Sequence, residues 1–264
     1  MRNTAKLSTF LAAAILAAPA FSVHPAMAAP NGQQALTEMN DPQIQESLTK
    51  SFSKKRYEGV QASVENGVVT LTGSVPNFAA KEDADKVAHR AKKVIAVRDE
   101  IEVAGPQIPD QELQQKLLKK IEYDRVGYGT TAFNAISVSV ENGVVTLGGH
   151  AYGPVDKDSA VSVASNTPGV RDVIDDIQVD PVSPMDDEIR VRVARAVYGY
   201  PSLNKYAIDP AKTIRISVQN GRVTLFGQVD TEADKDTAFI RANGVPGVFK
   251  VTNELQVANQ QERR

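Results

Sequence analysis

This chain of 264 residues contains no cysteine, which excludes disulfide bonds and thiolate metal sites. Each folded unit must therefore be stabilised by its apolar core alone. The chain also lacks a strong excess of either charge, with 30 basic and 32 acidic side chains. General nucleic-acid binding is typical of a clustered basic face, so no nucleic-acid partner is expected. After the N-terminal region, no apolar run approaches the roughly 20 residues that span a bilayer.

The N-terminus has the pattern of a cleavable signal peptide over residues 1–28. Arg2 and Lys6 precede an apolar run over 7–20, and Ala26-Met27-Ala28 supplies the small residues that signal peptidase recognises. We therefore expect a periplasmic protein, soluble or peripherally membrane-associated, whose mature form begins with a flexible segment over 29–39. Cleavage leaves 28 basic against 32 acidic side chains, a net charge of −4.

What the chain does contain is one hairpin-like stretch in three copies: SVENGVVTLTG at 63–73, SVENGVVTLGG at 139–149 and SVQNGRVTLFG at 217–227. Eight of the eleven positions are identical in all three copies. A valine follows the last glycine of each copy by the same 30 residues. The sequence therefore predicts three tandem repeats, over residues 40–104, 109–180 and 185–258.

Each copy predicts a β-hairpin. Asn-Gly favours a two-residue type I′ turn, in which both central residues need positive φ. That turn sets Ser63 opposite Thr70 on a polar face and Val64 opposite Val69 on an apolar face. The predicted turn residues are Asn66, Gly67, Asn142, Gly143, Asn220 and Gly221.

Helices are predicted on both sides of each hairpin. Apolar residues at helical spacing follow Asp41, Asp110 and Asp186, which stand where an N-cap is expected. A second helix follows the hairpin and leads to a last alternating strand, which a right-handed crossover places parallel to the second strand. The predicted fold class is α+β, with three tandem small α-β-β-α-β domains. Each is a three-stranded mixed sheet with two helices on one face.

The order of elements, the V-x-N-G-x-V-T-L-x-G hairpin and a closing PGV-x-x-V-x-[ND]-x-[IL]-x-V pattern resemble the BON domain. The closing pattern begins at Pro168 and Pro246, whereas repeat one lacks its Pro-Gly. The BON domain occurs in bacterial osmotically induced periplasmic proteins and in nodulation proteins. The resemblance implies a non-enzymatic envelope module that binds phospholipid membranes and protects cells under osmotic stress.

Basic residues and tyrosines gather between the first helix and the hairpin of each repeat. Such residues suit a lipid headgroup boundary, but cations also complement a helix C-terminus and a tyrosine can cap a small core. Both interpretations stay open, and repeat three is the stronger candidate. The candidate membrane-binding residues are Lys54, Lys55 and Arg56 of repeat one, and Arg195, Tyr198, Tyr200 and Lys205 of repeat three.

Other polar residues predict no chemistry, so no catalytic residue, metal site or cofactor is expected. His150 is interpreted as a solvated strand end. Lys81, Lys157 and Lys235 could meet lipid phosphates, but a solvated first turn of the second helix is the favoured interpretation. Asp99, Asp175 and Asn253 are expected to bond nearby backbone. Two partners remain open: an anionic phospholipid surface, or an envelope protein for which this chain is an adaptor or chaperone-like scaffold.

Overall fold

The computed structural model describes residues 40–258. The predicted signal peptide over 1–28 and the predicted flexible segment over 29–39 lie outside the described residues. No helix within the described part of the chain is long and apolar enough to cross a membrane.

The three repeats have the same order of elements. Repeat one contains α1 (Asp41–Phe52), β1 (Val60–Glu65), β2 (Val68–Val75), α2 (Phe78–His89) and β3 (Ala96–Val103). Repeat two contains α3 (Asp110–Asp124), β4 (Ala135–Glu141), β5 (Val144–Ala151), α4 (Pro154–Ser165), β6 (Asp172–Asp175) and β7 (Gln178–Val179). Repeat three contains α5 (Pro184–Tyr198), β8 (Arg215–Gln219), β9 (Arg222–Phe226), β10 (Gln228–Val229), α6 (Glu232–Asn243), β11 (Lys250–Asn253) and β12 (Gln256–Val257).

The sheets confirm the predicted register and strand directions. β1 and β2 are antiparallel, with Ser63 opposite Thr70 and Val64 opposite Val69. β3 is parallel to β2, β6 and β7 are parallel to β5, and β11 is parallel to β9. The last strand is interrupted in repeats two and three, beside Asp175 and Asn253. As expected, these two side chains and Asp99 accept backbone N–H bonds from the second residue after them.

The hairpin turns have the predicted conformation. All three asparagines and all three glycines of the Asn-Gly pairs have positive φ, between 51° and 77°. Their glycines are buried, which places each turn against its own repeat.

The prediction that Asp41, Asp110 and Asp186 are N-caps is wrong. All three lie inside their helices, and Ser183 accepts the capping bond in α5. Each aspartate instead accepts two backbone bonds from the Asn-Gly turn of its own repeat, at 2.6–2.9 Å. Since the turn N–H groups have no partner in the hairpin, the carboxylate satisfies them and ties the turn to the first helix.

Both helices of each repeat cover the same apolar sheet face, as the fold class predicts. Repeat one buries Leu48 of α1, Leu71 of β2 and Ala84 of α2 in one cluster. Repeats two and three have their own clusters, built from the corresponding helices and strands. The clusters touch their neighbours, because Phe78 packs on the core of repeat two and Phe133 on the core of repeat three.

Candidate functional site

In repeat three, two of the four candidate residues are exposed. Arg195 is exposed, and no hydrogen bond or ion pair joins its guanidinium to another described residue. Tyr200 is 40% exposed and lies beyond the end of α5, with the guanidinium carbon of Arg241 5.4 Å from its ring centroid. Arg241 is itself exposed and donates to the carbonyl of Ala196. These residues form a basic and aromatic surface, here called the α5-end surface.

The other two candidates of repeat three make internal contacts. The hydroxyl of Tyr198 donates to the carbonyl of Ile214, and burial raises its pKa. The ammonium of Lys205 lies 2.8 Å from Asp230 and 2.9 Å from Asp234. Hydrogen bonds to these two carboxylates raise the pKa of Lys205, so it stays charged and is neutralised within the repeat.

The basic stretch of repeat one is mostly exposed. Lys54, Lys55 and Arg56 all reach solvent. Arg56 lies 4.6 Å from the ring centroid of Tyr57 and 3.4 Å from the carboxylate of Asp83. The hydroxyl of Tyr57 donates to the same carboxylate at 2.8 Å.

A shared arrangement explains part of the basic and aromatic pattern. In every repeat, the segment after the first helix sends a cation and a hydroxyl to one aspartate of the second helix. The contacts are Arg56 and Tyr57 with Asp83, Arg125 and Thr130 with Asp156, and Lys205 and Tyr206 with Asp234. Sequence reasoning missed this role, because only the tertiary packing brings the segment after the first helix against the second helix.

Lysines of the second helix are also engaged. Lys81 donates to the carbonyl of Ile101 at 2.8 Å and Lys157 to the carbonyl of Ile177 at 2.9 Å. Lys157 also lies 3.0 Å from Asp175. The interpretation of these two lysines as merely solvated is therefore wrong, because they hold the last strand against the second helix.

A buried ion pair joins repeats two and three. Arg190 of α5 is 1% exposed, and its guanidinium lies 3.3 Å from the carboxylate of Asp180, the residue after β7. Asp180 is buried and also accepts hydrogen bonds from Ser217 and Gln219 of β8. Asp187 supplies a second carboxylate to Arg190 at 2.6 Å. Charges this deeply buried hold a fixed geometry only with such partners.

His150 belongs to the same junction, so its interpretation as a solvated strand end is wrong. Its Nδ1 lies 3.3 Å from the carboxylate of Asp180 and 3.0 Å from the amide nitrogen of Gln219. Its ring lies against Phe226, with 5.9 Å between centroids.

A cavity of about 530 Å³ lies beside this junction, between α3 and β4 of repeat two and the hairpin of repeat three. Its apolar wall includes Ile121 and Phe226, and its polar groups include Glu122 and Arg215. Burial raises the pKa of Glu122 and lowers the pKa of Arg215, whose guanidinium donates to carbonyls of Thr131 and Pro210. Among residues 40–258, no group of three or more His, Cys, Asp or Glu side chains could hold a metal ion.

Comparisons with known proteins agree with the repeat pattern. The family model of the BON domain matches residues 40–105, 109–181 and 186–259. Osmotically-inducible protein Y of Escherichia coli (strain K12) is 29% identical over 150 residues, which are 52% of this chain and 69% of that protein. The 21 kDa hemolysin of Actinobacillus pleuropneumoniae is 26% identical over 144 residues, which are 54% of this chain and 74% of that protein.

A solved structure of CdsD, a structural protein of the Type III secretion system of Chlamydia trachomatis, aligns with 83% of this chain and 94% of its own. Its sequence identity is 16% and its TM-score is 0.24. With so low a score, the likeness carries no argument about this chain.

Proposed function

Because this chain belongs to the BON domain family, with three copies of the domain in tandem, we propose that it is a non-enzymatic envelope protein exported to the periplasm. We propose that it associates with anionic phospholipid surfaces and supports envelope integrity under osmotic stress. The signal-peptide pattern over 1–28 supports export, and the similarity to Osmotically-inducible protein Y supports the link to osmotic stress.

The observation that carries the lipid proposal is the α5-end surface. Arg195 and Arg241 supply exposed cations beside Tyr200, which suits the boundary between phosphates and acyl chains. In this proposal, Tyr198 and Lys205 act by holding the end of α5 and the following segment in place. The exposed Lys54, Lys55 and Arg56 form a weaker contact in repeat one.

The distribution of charge favours the outer repeats as lipid contacts. Repeat two has six basic and eleven acidic side chains over 109–180, so an anionic surface repels it. Repeat one has ten of each sign over 40–104, and repeat three has ten basic against nine acidic over 185–258. Two weak contacts on one chain bind much more tightly than either alone, provided that both reach the surface together.

The test is sedimentation of the complete chain from Ala29 with vesicles of equal parts phosphatidylglycerol and phosphatidylcholine, against vesicles of phosphatidylcholine alone. We expect association with the anionic vesicles, weakened by salt because exposed charges are screened. Replacing Arg195 by Ser and Tyr200 by Ala is expected to weaken it about fivefold or more. The matched control in acidic repeat two changes the exposed Lys116 to Ser and Tyr128 to Ala, and is expected to bind like wild type.

The cavity at the junction of repeats two and three supports a second candidate function, an adaptor or chaperone-like scaffold for an envelope protein. Its volume and mixed lining suit a few side chains of a bound peptide. No association of the wild-type chain with either kind of vesicle would remove the lipid proposal and leave this one.

A further inference from the structure

The hairpin of repeat three departs from the other two at positions that can be compared one by one. Repeats one and two share Glu65 and Glu141 before the turn, and Val68 and Val144 after it. Repeat three has Gln219 and Arg222 at these two positions. It also has Phe226 where repeat one has Thr72 and repeat two has Gly148. The first two changes raise the local charge by two.

The junction with repeat two accounts for two of the three changes. Gln219 donates to Asp180, where a glutamate would bring a second carboxylate to a buried one. Phe226 lies against His150. The third change, Arg222, has no such role. Arg222 is exposed, and its guanidinium forms no hydrogen bond or ion pair with another residue of the range 40–258.

Arg222 has two exposed neighbours at the end of the sheet. Lys250 is its partner in the register of the parallel strands β9 and β11, so both side chains emerge on the same side of the sheet. Phe249 precedes Lys250 and is 84% exposed. No ion pair neutralises Lys250 within the described residues. We call Arg222, Phe249 and Lys250 the repeat-three tip.

The backbone holds this tip in a defined place. The N–H of Phe249 donates to the carbonyl of Gly221 at 2.9 Å. The phenyl ring lies so close to Gly221 that a Cβ there would be 2.5 Å from the ring. One edge of the ring therefore covers the turn while most of it faces solvent. A side chain fixed in this way loses little conformational freedom when it binds.

The same place in the other repeats lacks this combination. In repeat one, Ile95 is 64% exposed and stands beside Val68 and Ala96. In repeat two, Arg171 takes the place of the apolar residue, and the next residue is Asp172. Only repeat three has a large exposed aromatic residue at this place together with two exposed cations.

We propose that the repeat-three tip is a second membrane contact, in which Phe249 enters the headgroup boundary of an anionic bilayer while Arg222 and Lys250 meet lipid phosphates. This inference rests on the proposed function and adds a site to it. Charge complementarity favours an anionic bilayer as the partner, because two cations without internal ion pairs are attracted to a densely anionic surface. An exposed aromatic ring suits the headgroup boundary of such a bilayer. The tip and the α5-end surface lie at opposite ends of α5, whose 15 residues span about 22 Å, so each can be tested alone.

The repeats themselves supply substitutions that keep the fold. Arg222→Val and Lys250→Ala introduce the residues that repeat one has at these positions, so the double variant is expected to fold like wild type. Its affinity for the equal-part phosphatidylglycerol and phosphatidylcholine vesicles is expected to fall roughly fivefold for each cation removed. Phe249→Ala is expected to lower it about tenfold or more, through the loss of apolar burial.

Two controls and one gain-of-function variant complete the experiment. Lys116→Ala removes an exposed cation of repeat two, and Phe239→Ala removes an exposed ring of α6; neither is expected to change affinity. Val68→Arg combined with Ile95→Phe and Ala96→Lys builds the same three tip residues on repeat one and is expected to strengthen binding.

The outcomes separate this inference from the function it rests on. Vesicle binding by wild type that the tip variants leave unchanged overturns the tip assignment and leaves the lipid function standing. Absence of binding by wild type overturns both.

Discussion

Repeats one and three build the same domain, yet they differ at the positions that reach beyond the domain. Four residues after the turn-binding aspartate, repeat one has Gln45, which donates to the carbonyl of Ala62. Repeat three has Arg190 there, which donates to the carbonyl of Val218 and also binds Asp180 of the preceding repeat. A position that gives internal support in repeat one therefore links two repeats in repeat three, where its side chain is longer and charged.

The largest effect is expected from Arg190→Gln, which introduces the residue of repeat one. It leaves Asp180 buried without its cation, and breaking a buried pair in this way costs about 3 kcal/mol. Urea unfolding of the complete chain would measure this loss. Gln45→Arg in repeat one is the matched reverse change. It is expected to lower the free energy of unfolding much less, because no buried carboxylate lies beside that position.

A second substitution sharpens this prediction. The counterpart of Asp180 at the end of repeat one is Ala104. Asp180→Ala combined with Arg190→Gln therefore restores an uncharged junction, and we expect stability to return to within about 1 kcal/mol of wild type. An equal loss in the single and the double variant would contradict the account of the pair.

The repeats should respond alike where their structures agree. Asp186→Ala and Asp41→Ala each leave two turn N–H groups without an acceptor, and the expected cost is about 1–3 kcal/mol in either repeat. Amide hydrogen exchange at Gly221 and Gly67 reports each turn separately. Asp158→Ala removes an exposed carboxylate and is the control. Protection unchanged at both turns would show that the aspartates do not hold them.

Acid is expected to affect repeat three through Asp234. Burial alone raises the pKa of this carboxyl, but hydrogen bonds from Lys205 and Tyr206 hold the pKa below its ordinary value of 3.8. Because the folded pKa is the lower one, the stabilisation is complete above pH 3.8 and is lost as the pH falls through the folded value. Asp234→Asn should remove this part of the acid dependence, measured by thermal unfolding between pH 5 and pH 3. A slope identical to wild type would contradict this contribution.

The smallest effect concerns the turn before the last strand. Lys93 has φ of 71° in repeat one, in the left-handed region, where Gly247 lies in repeat three with φ of 95°. Lys93→Gly relieves that strain but removes the bonds of the ammonium to Asn40 and Gln43. We expect a net stabilisation of less than about 1 kcal/mol in thermal unfolding. A destabilised variant would show that the ammonium contacts outweigh the backbone strain.

The fold could be predicted from the sequence because its signals are local and repeated. Asn66-Gly67 and the period-two alternation around it define the turn, the register and the buried face without reference to distant residues. The same local reasoning misplaced Asp41, whose carboxylate bonds a turn 25 residues away. A short polar residue before a helix is usually a cap, and only tertiary packing brings the unsatisfied turn amides within its reach.

The candidate site residues were less predictable than the fold. Tyr198 and Tyr200 lie two residues apart in the same tyrosine-rich stretch. The hydroxyl of Tyr198 nevertheless donates to the carbonyl of Ile214, whereas Tyr200 is exposed. The junction left a signal in the sequence, since Ala104 and Gln114 at the first junction correspond to Asp180 and Arg190 at the second. Both uncharged residues of the first junction are replaced at the second junction by residues of opposite charge. This paired replacement could have indicated the ion pair. The repeat-three tip required the structure, because Arg222 and Phe249 are 27 residues apart.

The chain contains no tryptophan, so one introduced tryptophan reports its own surroundings. Phe249→Trp and Ile95→Trp place that reporter at the corresponding positions of repeats three and one. With anionic vesicles at low salt, we predict a blue shift of the emission for Phe249→Trp, reversed by salt, and a smaller shift for Ile95→Trp. Vesicle binding without any shift at position 249, or with a larger shift at position 95, would contradict the assignment of the membrane contact to repeat three.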